Sequence, residues 1–180
     1  QEIGLHSGIN CVSKSDFEES KYKLEKKSGI EILGLRGHYW SGVWKKPLDH
    51  WQELHDIGFC YDASLNPQAL GFRSGISLPI VPSFRYSEDL DNAFIVLPTA
   101  VMDAYAVHSR KNSDGGIIKT LNACMQNGLC ILDWHERVLS NLGPWKGFPS
   151  HLFNVIQALE AEVDLIADSK GQPEEFVFHE

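Results

Sequence analysis

Short apolar runs alternate with helix-length stretches along most of this chain, and several of the runs end on a residue that carries chemistry. That alternation constrains the fold more than any other feature, because strand–helix–strand order builds a mostly parallel sheet with helices packed on it. Glu2–His6, Ile32–Leu35, Phe59–Tyr61 and Leu129–Trp134 read as strands. Between the first two, a helix is expected from about Asp16 to Lys27, with Ser15 as its N-cap and Gly29 past its end. A second helix is expected from Pro47 to Ile57, with proline in its first turn and Gly58 closing it. Ile76–Val81 and Phe94–Val101 are further strands, and their prolines place them at edges or strand ends. Two more helices are expected, over Gly116–Gln126 and along the face Leu152, Ile156, Leu159, Val163 and Ile166. Gly171 and Pro173 stop the last helix, and Glu175–Phe178 reads as a final strand.

No repeat or linker divides the 180 residues, so residues 1–180 are read as a single α/β domain. Apolar residues at 43% and charged ones at 22% are ordinary for a folded domain and argue against disorder. Sixteen Lys and Arg against 24 Asp and Glu leave a net charge of −8, without the basic footprint of a nucleic-acid binder. No apolar run reaches the roughly 18 residues of a membrane helix. The four cysteines lack paired zinc-site spacing; Cys124 and Cys130 lie in apolar runs and read as buried free thiols, with a disulfide as the alternative. A complete α/β barrel takes about 250 residues, and roughly 200 at the low end. The chain is shorter and opens at Gln1 inside a strand-like segment, so a barrel is expected to lack its first part here.

The polar residues at the strand ends are the functional signal. The first strand runs into His6, Ser7 and Asn10; the second into Arg36 and then Gly37-His38-Tyr39-Trp40; the third into Asp62. Leu129–Trp134 runs into His135. Taken singly, a strand-end His is usually a hydrogen-bonded structural residue, and an Arg with an Asp is usually a structural ion pair. Four of them on one rim of one sheet, where barrel enzymes keep their active sites, favour a site. Its chemistry is metal-assisted or His-mediated hydrolysis, since His with Asn or Asp can hold a metal and Arg can hold an oxyanion. Trp40 and Trp44 are candidates to stack on sugar rings or to cover the rim, whereas Trp51 is expected to pack under its helix. Lys21, Lys23, Lys26 and Lys27 are expected to form a solvated helix face.

In order and spacing, His6-Ser7-x-x-Asn10, Arg36-x-His38-Tyr39, Tyr61-Asp62-Ala63-Ser64 and Ile131-Leu132-x-x-His135 resemble the polysaccharide deacetylase family. This is the NodB-homology group, carbohydrate esterase family 4. Gly34–Trp40, Gly58–Leu65 and Gly71–Gly75 look especially like the branch found with bacterial surface-polysaccharide genes. The resemblance spans about residues 2 to 136. It implies a distorted (β/α)7 barrel that removes N-acetyl, or sometimes O-acetyl, groups from sugars with one divalent metal, commonly zinc.

By position, His6 matches the first metal ligand and Asn10 stands where the family has a second His. An amide oxygen is a poorer zinc donor than imidazole. Arg36 matches the residue that holds the catalytic carboxylate, and Tyr39 the one whose backbone N–H forms the oxyanion hole. His38 stands where the family usually has proline and could itself face the site. Asp62 resembles the Asp that pairs with the Arg. His135 resembles the acid that protonates the leaving amine, with Leu132 lining the acetyl-methyl pocket. The family's Thr-Phe-Asp-Asp motif, source of the general base and a metal carboxylate, does not precede His6. Either it lies upstream of Gln1 or the chain is a degenerate relative. The implied function is metal-dependent deacetylation of a polysaccharide. The alternatives are a catalytically inactive glycan-binding module and an amidohydrolase acting on a non-sugar amide.

Overall fold

A computed structural model describes residues 2–38, 46–65, 78–82, 93–103, 118–119, 121–123, 131–143, 146–147, 149–150, 152–154, 156–157 and 160. They fall into two compact units, the first from residues 2–65 and 78–99, the second from residue 100 onward.

In the first unit, β1 (Leu5–His6), β2 (Gly34–Arg36), β3 (Tyr61–Asp62) and β4 (Ile95–Val96) form a four-stranded sheet in that order, with every pair parallel. Helix α1 (Lys14–Ser28) crosses from β1 to β2, and α2 (Pro47–Asp56) lies between β2 and β3. The alternation in sequence is therefore the alternation in structure. The core beneath the sheet is built on Phe17 and Leu54 of the helices and on Leu35, Phe59, Phe94 and Val96 of the strands and their entries. Burying each such side chain contributes about 1.5–3 kcal/mol. Trp51 lies in this core, as expected of it.

Helix α1 starts two positions earlier than the sequence reading places it. Ser13, not Ser15, is the N-cap: its hydroxyl accepts the Asp16 N–H, while the Asp16 carboxylate accepts the Ser13 N–H at 2.8 Å. This reciprocal pair is a capping box. Ser15 lies inside the first turn, its hydroxyl 3.0 Å from that of Ser13. The Ser13 side chain, then its backbone, holds the Asp16 carboxyl below its usual range. Gly29 closes the helix in the left-handed conformation with φ 70°. The lysine face is also corrected: Lys21 is buried, ion-paired with Glu25, and its ammonium sits 5.6 Å from the Phe59 ring centre. Its stem covers apolar surface while its charge is neutralised one turn away.

Tyr61 lies directly across from Gly34 in the β2–β3 register, and a Cβ on Gly34 would run into the Tyr61 ring. The phenol donates to Glu2 at 2.7 Å, and burial, then that carboxylate, pushes its pKa up to about 12. Gly34→Ala is therefore expected to displace the ring and cost about 1–3 kcal/mol in a urea-unfolding measurement, as overpacking does. A loss below about 0.5 kcal/mol would show that the ring moves freely aside.

The expected strand Phe94–Val101 is two strands. After β4, Leu97 N–H bonds the Asp62 carbonyl, Pro98 offers no N–H, and Thr99 N–H bonds Leu65. The chain then enters the second unit, where β5 (Val101–Met102) pairs parallel with β6 (Leu132–Asp133). Of the expected strand Ile76–Val81, the described part contributes one antiparallel bridge, Ile80 to Val96. Residues 118–119 and 121–123 are helical within the first of the two later helices expected, as are 152–154, 156–157 and 160 within the second, and 149–150 just ahead of it are helical too. A 3-10 helix, Glu136–Ser140, comes after β6. Among the described residues, no helix is long and apolar enough to cross a membrane. Cys11 is a buried free thiol and Cys60 an exposed one, while Cys124 and Cys130 lie outside the described residues.

Candidate functional site

Parallel pairing brings the carboxyl ends of β1, β2 and β3 to one rim. The register sets His6 beside Arg36, and Asp62 between Leu35 and Val96. Three of the four strand ends that stand out in the sequence are thus neighbours.

The residues just past each strand lock the rim together. The loop after β2 is clamped from both sides: Gly37 N–H donates to the Ser64 hydroxyl at 2.6 Å, and His38 N–H to the Ser7 hydroxyl at 3.2 Å. Both serines are buried. The clamp brings His38 against His6, with Nδ1 of His38 3.4 Å from Nε2 of His6 and ring centres 5.3 Å apart at a 42° tilt. His6 Nδ1 lies 3.1 Å from the Arg36 carbonyl oxygen, which can only accept. His6 therefore carries its proton on Nδ1 and presents the Nε2 lone pair to His38.

Arg36 and Asp62 are partnered differently from the expected ion pair. The guanidinium donates to the Ala63 carbonyl at 2.7 Å and to the Thr99 hydroxyl at 2.9 Å. Asp62 is 1% exposed and accepts from Trp51 Nε1 at 3.0 Å, from Ser64 N–H at 2.8 Å and from the Ser64 hydroxyl. The indole and serine donors offset the desolvation cost of the buried carboxylate, so the arginine is not needed there. Burial pushes the Asp62 carboxyl above its usual range, against the pull of those hydrogen bonds and of nearby His50. Burial likewise pushes the His50 imidazole down, against the fields of Asp62 and Glu53.

The fourth strand end belongs to the second unit. His135 comes after β6, and Asp103 directly after the adjacent β5. The wholly buried Asp103 carboxylate accepts the His135 backbone N–H at 2.9 Å and its Nδ1–H at 2.9 Å. The dyad fixes the ring orientation and leaves Nε2 as the nitrogen not bonded to Asp103. Leu132 lies half-buried in β6.

Asp103 and Thr99 do not stand out in the sequence, and Ser64 does so only as part of a longer motif. Asp103 has a usable signal: Val101-Met102-Asp103 repeats the apolar-strand-then-Asp pattern of Asp62, masked because the apolar run reads as ending at Val101. Tyr39, Trp40 and Trp44 lie outside the described residues.

For a divalent metal, the imidazoles of His6 and His38 are a fitting pair of donors, borderline in softness and suited to zinc. Asn10 sits exposed on a turn and makes no side-chain hydrogen bond among the described residues that would aim its amide. No group of three or more His, Cys, Asp or Glu side chains that could hold a metal ion occurs among the described residues.

No protein-family model and no curated protein matches the chain. Among solved structures, it resembles the crystal structure of a Mycobacterium smegmatis protein assigned as a polysaccharide deacetylase, with TM-score 0.51 and 14% sequence identity. The match covers 100% of this chain and 67% of that one. At this identity the likeness is one of fold.

Proposed function

We propose that this chain is a carbohydrate deacetylase of the (β/α)7 type, hydrolysing the amide, or the ester, of an acetylated polysaccharide. The observation that carries the reading is the His135–Asp103 dyad at parallel strand ends, in a fold shared with a protein assigned to that chemistry. His135 is the proton donor to the departing amine: Asp103 holds Nδ1–H and keeps Nε2 available for the transfer. Arg36, anchored by Ala63 and Thr99, is the charge that would hold the catalytic carboxylate the family draws from its Thr-Phe-Asp-Asp motif. Asp62 is a positioning residue that acts through Ser64 on the Gly37 N–H. The backbone N–H of Tyr39 stabilises the oxyanion, Trp40 and Trp44 stack on the sugar, and Leu132 borders the acetyl methyl. A divalent cation at His6, zinc first among the candidates, supplies when bound the polarisation of the acetyl carbonyl and a water acidified towards a pKa of about 7.

A glycan-binding module without catalysis is the second reading, favoured by the lack of a third clustered metal ligand among the described residues. Incubation with N-acetylated hexosamine oligomers and zinc separates the two. The enzyme is expected to release one acetate for each free amine formed. Saturable oligosaccharide binding with no acetate would leave the module. Turnover of simple cyclic or aliphatic amides alone would reassign the substrate.

A further inference from the structure

We propose that His38, not Asn10, supplies the second imidazole-class donor beside His6, making a two-histidine cation site from the ends of β1 and β2. The inference deepens the metal part of the deacetylase reading, but the site itself rests on geometry alone. A tetrahedral zinc ion with bonds of about 2.0–2.1 Å holds neighbouring donors about 3.3–3.4 Å apart. His6 Nε2 and His38 Nδ1 are 3.4 Å apart. That is long for an N–H hydrogen bond, whose usual range is about 2.7–3.2 Å. It matches the edge of a metal tetrahedron.

Three further features prepare the pair. The Arg36 carbonyl accepts a hydrogen bond from His6 Nδ1–H, the arrangement that orients a ligating histidine. The rings are tilted by 42° rather than stacked, and the nitrogens that face each other are His6 Nε2 and His38 Nδ1. The His38 backbone is pinned by Ser7, and the preceding Gly37 by Ser64, which Asp62 anchors in turn. A donor fixed in this way loses little freedom on binding. Asn10 has none of these supports: it is exposed, on a turn, and bears the weaker donor for zinc. The cation class is set by the donors. Two imidazoles suit Zn2+, Co2+, Ni2+ or Cu2+ and disfavour Mg2+ or Ca2+.

The test is zinc binding by the protein, read by competition with a chromophoric chelator and by the visible absorption of Co2+ in place of zinc. Wild type is expected to take up one ion per chain. His38→Gln and His6→Gln should each weaken binding at least about tenfold, and Asn10→Ala by less than about twofold. Circular dichroism checks that each variant folds. Nitrogen NMR of the wild-type histidines gives a reading that needs no variant: zinc should shift His6 Nε2 and His38 Nδ1 together. Retained affinity in His38→Gln, a tenfold loss in Asn10→Ala, or no zinc uptake by wild type would each overturn the proposal. Zinc uptake without acetate release would instead count against the deacetylase reading and leave the site standing.

Discussion

Asp62→Ala is expected to destabilise the first unit by about 2–4 kcal/mol, the range for stranding buried hydrogen-bond donors. The loss has identifiable parts. The substitution strands the Trp51 indole N–H and the Ser64 N–H without acceptors in the core, at about 1–3 kcal/mol each, although the two costs are not additive. It also opens a small cavity and lets the Ser64 hydroxyl turn away from Gly37. Asp62→Asn keeps the shape but must point an NH2 at a donor, either the indole or Ser64. Combining Asp62→Asn with Trp51→Phe removes that conflict, so the double variant should lose less than the sum of the singles. Urea-unfolding curves for the four proteins form the cycle. A cost below about 1 kcal/mol for Asp62→Ala would mean that water reaches the carboxylate and that it does not anchor the loop.

His135→Ala is expected to lower kcat for acetate release by about 10²–10⁴ with little change in KM, as for loss of a positioned general acid. The effect should fall on kcat because the proton moves only as the amine leaves. Asp103→Asn tests the positioning role. The carboxylate accepts from both the His135 backbone N–H and Nδ1–H, and an amide can accept at only one of its two arms. The imidazole then favours the wrong tautomer, so kcat should fall and the pH–rate profile should shift. Asp103→Asn with unchanged kcat and pH profile but lower stability would reduce the dyad to a structural pair. Undiminished turnover by His135→Ala would remove it from the mechanism.

How much of the fold and the site is legible in the chain itself differs from residue to residue. Pro47 and Gly58 bracket α2 because proline and glycine act on their own backbone, so no tertiary information is needed to read them. The α1 cap reads two positions too late because Ser13 and Ser15 are equivalent as caps; only the bonds with Asp16 choose between them. Lys21 reads as solvated from composition, yet the packing of α1 on Phe59 buries its stem. Phe94–Val101 reads as one strand by apolarity, and Pro98 splits it between two sheets.

Local signals in the chain suffice for the strand–helix alternation, the parallel pairing, the bracketing of α2, the Gly29 close of α1 and the placing of His6, Arg36, Asp62 and His135 at strand ends. These arise from periodicity and backbone preference, which act over a few residues. Only the tertiary structure decided the partners: Trp51 and Ser64 for Asp62, Thr99 for Arg36, Asp103 for His135, and His38 for His6 across 32 positions. Those choices depend on strand register and on which buried group most needs a donor or an acceptor. A buried polar atom takes the partner that folding brings within about 3 Å, and sequence distance has no bearing on which one that is.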